Sequence, residues 1–272
     1  EQPLIREDGE FREATWDDAL DYVADPLTRI RDEAGPQALA GLASATCTNE
    51  ENYLFQRLLR AGLETNNIDH CARLCHASTV TGLGAAFGSG AMTNSIRDIK
   101  DAETILVTGS NTTEAHPIIG LEVEEAARNG TDLIVIDPRD IDLAAHADVH
   151  LRPPSGTDAA WIMGLINVIY EEDLWDQTCV AERTEGFEEM LAAAKEYPPD
   201  RVEAITGIAP PDLREAARRY AEADRASIIY AMGITQHTSG TDNVLALANL
   251  AMLTGNVGRE GTGVNPLRGQ NN

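Results

Sequence analysis

A doubly wound α/β fold, a parallel sheet flanked by helices, is what three observations predict for this chain. First, Thr104-Ile105-Leu106-Val107-Thr108 and Asp132-Leu133-Ile134-Val135-Ile136 are continuous apolar runs of strand length, as strands buried on both faces require. Second, the stretch between them reads as a helix from Ile118 to Asn129, with Pro117 at a first helical position and Gly130 closing it. A strand, a crossover helix and a second strand within ~30 residues make a right-handed βαβ unit. Third, Val149-His150-Leu151-Arg152 and Ser227 to Met232 supply further strands, which extends the unit into a Rossmann-like layer.

Taken in order, residues 4–12 alternate poorly and turn around Asp8-Gly9. Trp16 to about Ala34 reads as an amphipathic helix with Thr15 as N-cap, ended by Gly35-Pro36. Ala38 to Leu42 is a short strand. Asn49 caps a helix that carries Tyr53, Leu54, Leu58 and Ala61 on one side and stops at Gly62. This opening helix–strand–helix lacks enough strands to close a sheet. Further on, Asp158 caps a helix to Tyr170, Pro211-Asp212 starts one reaching Ala223, and Thr241 or Asp242 caps a last helix that Gly255 terminates.

At 272 residues and 43% hydrophobic, the chain can bury one large domain, or one domain and part of another. Its 21 Lys and Arg against 45 Asp and Glu leave a net charge of −24, which argues against nucleic acid or an anionic membrane as the main partner. The acid is spread along the chain, as expected of a halophilic protein whose self-repulsion is screened by concentrated salt. Its unfolding midpoint should therefore rise between dilute buffer and molar potassium chloride; an unchanged midpoint would remove the halophilic reading. Four cysteines do not make a disulfide framework. With no apolar run of spanning length and no signal peptide, the chain is expected to be soluble and cytoplasmic. The missing initiator Met and the abrupt Gly269-Gln270-Asn271-Asn272 ending lead to the expectation of an excised piece of a longer protein.

Chemistry-bearing residues gather in three places. His70-Cys71-Ala72-Arg73-Leu74-Cys75-His76 concentrates two thiols, two imidazoles and a guanidinium. A thiolate at Cys75 suits a soft metal centre, and Arg73 with the imidazoles would favour that thiolate. The plainer reading of Cys75 is a buried small hydrophobe. His76 beside it is the candidate for proton transfer. A zinc site from His70, Cys71, Cys75 and His76 is disfavoured, because adjacent residues cannot easily share one tetrahedral ion.

The second place is the set of strand ends, since ligands in open parallel sheets lie beyond the carboxyl ends of the strands. After the first run come Gly109, Ser110, Asn111, Thr112 and Glu114, a polar loop whose amides and following helix N-terminus would hold a phosphate. After the second come Asp137, placed for a ribose, and Arg139, near the phosphates. After Ser227–Met232 come Gly233 and Gln236. His116 contacts the nucleotide or orders its loop, and His237 can contact a cofactor. Singly, Asn111 is also a helix cap, Asp137 a surface ion pair and Gly233 a turn; together they predict a nucleotide pocket. Gly82-Leu83-Gly84-Ala85-Ala86-Phe87-Gly88 mimics a dinucleotide fingerprint but follows no hydrophobic strand, so it reads as helix-packing and loop glycine. The third place is Gly261-Thr262-Gly263-Val264-Asn265-Pro266-Leu267-Arg268-Gly269-Gln270-Asn271-Asn272. It reads as a loop that lets backbone approach a ligand, with Arg268 offering a planar fork for a carboxylate; the plainer reading is a surface arginine in a tail.

Arg73-Leu74-Cys75-His76, Gly109-Ser110-Asn111-Thr112-Thr113-Glu114-Ala115-His116-Pro117, Ile136-Asp137-Pro138-Arg139, Ser155-Gly156-Thr157-Asp158, Arg183-Thr184-Glu185-Gly186-Phe187-Glu188-Glu189, Met232-Gly233-Ile234-Thr235-Gln236 and the terminal Gly263-to-Asn272 run together resemble the catalytic subunit of formate dehydrogenases. These are molybdopterin oxidoreductases related to dimethyl sulfoxide reductase, and the resemblance extends from about Trp16 to the end.

The resemblance implies that Cys75 stands where the family's cysteine or selenocysteine ligates molybdenum or tungsten. His76 would be the neighbouring proton-handling histidine and Arg268 the arginine that binds formate. Gly109, Asn111, Glu114, His116, Asp137, Arg139, Gly156, Asp158, Gly233 and Gln236 would surround one of two molybdopterin guanine dinucleotides. Formate would yield carbon dioxide, its C–H hydrogen leaving as hydride or as a proton to His76, which sequence leaves open. Also implied are an iron–sulfur cluster in residues N-terminal to this stretch, the remaining domains of a parent chain, and electron-transfer subunits. Residues 1–70 would be part of a discontinuous α/β domain, and 71–272 the Rossmann-like domain that binds the guanine dinucleotide. The piece is expected to be inactive alone. Two other readings are a nucleotide-binding module without catalysis, and a relative acting on nitrate or another oxyanion.

Overall fold

The structure, a computed structural model, describes residues 2–269. It divides the chain into two compact units, Glu1–Arg73 and Leu74–Asn272.

In the first unit, β1 (Leu4–Glu7) and β2 (Glu10–Glu13) form an antiparallel hairpin where the sequence predicts an irregular turn. The turn residues Asp8 and Gly9 both have positive φ, 49° and 88°, as a twisted two-residue hairpin loop requires. Alternation is poor there because Ile5 is the one buried residue of the two strands. The helix Trp16–Ala34 starts as expected, the Thr15 hydroxyl accepting from the Asp18 amide at 3.1 Å. The next helix, Asn49–Arg57, is capped by Thr48 rather than Asn49, in a reciprocal capping box with Glu51, and runs on as a π turn to Gly62. The predicted strand at Ala38–Leu42 begins later: Pro36–Ala38 is a 3₁₀ turn, and β3 (Gly41–Ala43) pairs in parallel with β4 (Ile68–His70).

The second unit holds a five-stranded sheet of β5 (Thr104–Thr108), β6 (Asp132–Ile136), β7 (Val149–Leu151), β8 (Ala226–Tyr230) and β9 (Gly263–Pro266). Every neighbouring pair is parallel and the order is β7-β6-β5-β8-β9. The chain builds outward from β5 to one side, then crosses back to place β8 on its other side. The β5–β8 boundary is thus the topological switch point, where a crevice opens at the carboxyl ends. The helix after β5 spans Pro117–Arg128 with Pro at its first position, as predicted. Between β7 and β8 the structure has five helices, of which Gln177–Arg183, Phe187–Ala194 and Pro199–Thr206 have no counterpart in the sequence reading. β8 stops at Tyr230, and Met232-Gly233 belong to a helical turn rather than to the strand.

β9 is the main correction. The glycine-rich stretch predicted as a loop is a buried strand paired with β8. Its Asn265 amide donates to the Ser227 hydroxyl at 2.9 Å, satisfying two buried polar groups. Gly261 and Gly263 have positive φ, and a Cβ on either would strike the Asp101 carbonyl or the Thr93 and Asn94 side chains. Close packing of this chain against itself, not approach to a ligand, explains those glycines. Gly82 likewise lies inside the helix Ala77–Phe87, where an added Cβ would sit 2.7 Å from Val244 Cγ1 of the helix Gly240–Leu253.

Candidate active site

At the switch point two backbones touch. Gly109 follows β5 with φ +56°, and the Gly233 amide, just past β8, donates to its carbonyl at 3.0 Å. A Cβ on Gly233 would lie 2.5 Å from Gly109 Cα, so neither position has room for a side chain.

Around this contact opens a cleft of about 490 Å³, the size of a small-molecule site. Of the residues predicted for cofactor binding, Gly109, Asn111, Glu114, His116, Asp137, Arg139, Asp158 and Gly233 line it, with His237. Gly156 and Gln236 do not. Gly156 instead sits at φ +87° in the turn before the helix Asp158–Glu171, and the Gln236 amide points to the Met232 sulfur. Asp137 is 3% exposed, and one of its oxygens accepts from both the amide (2.9 Å) and Nε (3.3 Å) of Arg139. The predicted ribose and phosphate groups are therefore tied to each other. Sequence reasoning did not assign the end of β7, where Pro153, Pro154 and Ser155 also line the cleft; the rule of strand carboxyl ends would have found them.

Asp158 does not cap its helix. Thr157 occupies the cap position, and Asp158 Oδ1 accepts from Trp161 Nε1 at 3.3 Å. Its Oδ2 is buried without a hydrogen-bond partner among the described residues, 3.7 Å from His237 Nε2. Burial raises the Asp158 pKa, partly opposed by Trp161 and His237. A buried acceptor facing the cleft calls for a donor from a bound molecule.

Cys75 ends the short helix Ala72–Cys75, and its backbone carbonyl accepts from the Thr235 hydroxyl just beyond β8. His76 is 2% exposed at the N-cap of the helix Ala77–Phe87. Burial, aided by the Arg268 charge and opposed by the Leu267 carbonyl, pushes its pKa down to about 4. Its Nδ1 lies 3.0 Å from the Thr79 hydroxyl, which lies 2.9 Å from the Tyr230 hydroxyl. Arg268 arrives from β9: the Leu267 amide donates to the Tyr230 carbonyl at 2.7 Å, and Arg268 Nη2 donates to the Gly90 carbonyl. Burial lowers the Arg268 pKa. The backbone of Arg268 also favours a charged His116, although burial dominates and lowers that imidazole's pKa. His116, which lines the cleft, thus lies near the backbone of Arg268. Arg73, expected to activate the thiol, is instead paired with Asp69 at 2.8 Å. Gln270, Asn271 and Asn272 of the terminal motif lie outside the described residues.

The model for the molybdopterin oxidoreductase family matches residues 1–272. The chain is 51% identical to the F420-dependent formate dehydrogenase subunit alpha of Methanocaldococcus jannaschii over 271 residues, covering 100% of this chain and 40% of that one. It is 49% identical to the F420-dependent formate dehydrogenase 1 subunit alpha of Methanococcus maripaludis, covering 99% and 40%. With formate dehydrogenase H of Escherichia coli it shares 44% identity over 99% of this chain and 38% of the other. Among solved structures, acetylene hydratase from Pelobacter acetylenicus superposes with a TM-score of 0.78 at 29% identity, over 93% of this chain and 35% of that one. The chain thus spans about 40% of the length of its curated relatives.

Proposed function

Because the chain belongs to the molybdopterin oxidoreductase family, we propose that it is the part of a formate dehydrogenase catalytic subunit that binds one molybdopterin guanine dinucleotide and carries the substrate-handling residues. One observation carries the reading. Cys75-His76 and Arg268 come from opposite ends of the unit, yet all are fastened to the carboxyl end of β8, through Thr235, through Thr79 and Tyr230, and through the Leu267 amide. Relatives named formate dehydrogenase at 44–51% identity support the substrate.

The residues lining the cleft fit the cofactor. Among the described residues Asp158 Oδ2 is a buried acceptor without a donor, as a guanine ring N–H and amino group would need. Gly109 and Gly233 leave backbone bare at the crevice where a pyrophosphate would lie. Cys75 would supply the thiolate ligand. When bound, the molybdenum- or tungsten-bearing pterin supplies the two-electron redox centre. Arg268 would hold the formate carboxylate by charge-assisted hydrogen bonds, and its partly buried setting strengthens them. His76, whose pKa burial pushes down to about 4, would take up a proton beside Cys75 and pass it on.

The proposal includes residues 1–70 as part of a discontinuous domain, an iron–sulfur cluster elsewhere in the parent, electron-transfer subunits, a halophilic source on the strength of the −24 charge, and a cytoplasmic location. Among the described residues no helix is long and apolar enough to cross a membrane. The deciding experiment is elemental analysis of the intact parent with its pterin released and identified. Molybdenum or tungsten with guanine dinucleotide pterin is expected. Guanine nucleotide without either metal would replace this reading with that of a non-catalytic nucleotide module.

A further inference from the structure

One short turn ties the cofactor cleft to the Cys75 backbone. Met232–Thr235 is a single helical turn just past β8, and hydrogen bonds hold it along its length. The Gly233 amide donates to the Gly109 carbonyl at 3.0 Å, and both glycines line the cleft. The Ile234 carbonyl accepts from Asn243 Nδ2 at 3.1 Å, and the Thr235 carbonyl accepts from the Ser78 hydroxyl at 3.3 Å. The Thr235 hydroxyl donates to the Cys75 carbonyl. We propose that Thr235 is a positioning residue for Cys75: through its hydroxyl, the turn that lines the cleft also fixes the Cys75 backbone, so that cofactor seat and thiolate ligand are set as one piece. This rests on the reading of Cys75 as the metal ligand of a formate dehydrogenase.

The direction of each of these bonds is fixed, because a carbonyl can only accept. The choice of partner is informative. A threonine hydroxyl in a helical turn can bond a carbonyl three or four residues back in its own segment. That of Thr235 reaches a residue 160 positions away instead. Thr235 is 3% exposed and Asn243 is 0% exposed, so these bonds form away from competing water. Gly240 shows how closely the segments approach. A Cβ there would lie 2.2 Å from the Thr235 carbonyl oxygen and 2.7 Å from the Ser78 hydroxyl oxygen. The turn is thus wedged between the start of the helix Gly240–Leu253 and the start of the helix Ala77–Phe87. Cys75 is the last residue of the helix Ala72–Cys75, and the next helix begins at Ala77. The last carbonyls of a helix lack partners within it. A bond to the Cys75 carbonyl therefore pins the junction from which the thiol projects.

The test compares Thr235→Val, which keeps the shape and loses the hydroxyl, with Thr235→Ser, which keeps the hydroxyl, in the full-length parent. In the metal-loaded protein Thr235→Val should shift the EPR signal of the partly reduced metal. It should also lower kcat per bound metal about 10–100-fold, as removal of a partner that orients a metal ligand does, with KM near its starting value. Thr235→Ser should restore both. In the parent purified without its cofactor, iodoacetamide should alkylate Cys75 faster in Thr235→Val, read on the tryptic peptide that begins at Leu74. An unshifted EPR signal, equal alkylation rates or no rescue by Ser overturns the proposal. Should Thr235→Val not accumulate, Ser78→Ala removes the bond to the Thr235 carbonyl and should give a smaller change of the same kind; no change in either readout overturns the proposal equally. A parent without molybdenum or tungsten, or one whose EPR signal survives Cys75→Ser unchanged, would sink the functional reading. The alkylation rates would then still decide whether Thr235 places Cys75.

Discussion

Arg268→Ala in the full-length parent is expected to cripple formate oxidation while leaving metal content and thermal midpoint near their starting values. The physical reason is the strength of the bond that the truncation removes. A guanidinium fork gripping a carboxylate in a partly dry site makes charge-assisted hydrogen bonds, and truncating one partner of such a pair costs about 2–5 kcal/mol. That is roughly 30- to 5,000-fold in kcat/KM. Arg268→Lys keeps the charge but not the fork, so partial activity with a raised KM is expected. The measurement is steady-state formate oxidation beside elemental analysis. Loss of metal together with activity would make Arg268 a structural residue, and full activity would remove it from the site.

Gly233→Ala should cost about 2–4 kcal/mol of stability, the upper range for forcing atoms into a packed interior. Its Cβ would lie 2.5 Å from Gly109 Cα and 2.7 Å from the Gly109 carbonyl oxygen. Those are main-chain atoms at the end of β5, and they cannot swing aside as a side-chain tip would. Relief requires that β5 and β8 spread at their carboxyl ends, which also breaks the 3.0 Å Gly233-to-Gly109 hydrogen bond and widens the cleft. Cofactor content should therefore fall along with the thermal midpoint. Gly84→Ala is the control, since nothing lies within 4 Å of its added Cβ in the helix Ala77–Phe87. It should be neutral or gain up to about 1 kcal/mol by helix propensity. Denaturant unfolding of the two variants decides the matter: equal midpoints would show that the switch-point contact is soft.

Much of the site was legible because its signals are local. Gly109 to Glu114 and Asp137-Pro138-Arg139 follow apolar runs directly, so each falls at a carboxyl end as soon as its strand is recognised. Gln236 and Gly156 belong to the same motifs but miss the cleft, because proximity in sequence does not fix which way a turn points its residues. Arg73 shows the same limit: next to the thiol in sequence, it is paired with Asp69, four residues back in β4.

By itself the sequence determined the elements whose causes lie within a few residues. Those are β5 and β6 from unbroken apolar runs, the Thr15 cap, the Pro117 helix start and the parallel βαβ unit. What tertiary structure alone decided are pairings between distant segments. The apparent glycine loop became β9 because Asn265 finds Ser227, and its glycines fit against Thr93 and Asp101. Gly109 and Gly233 acquired their shared constraint from each other's backbone, and Asp158 acquired an unmet hydrogen bond from burial. Tyr230, which in sequence is one more β-strand aromatic, came to stand behind His76. Local preference is a property of a short window, whereas a close approach exists only once the whole chain has packed.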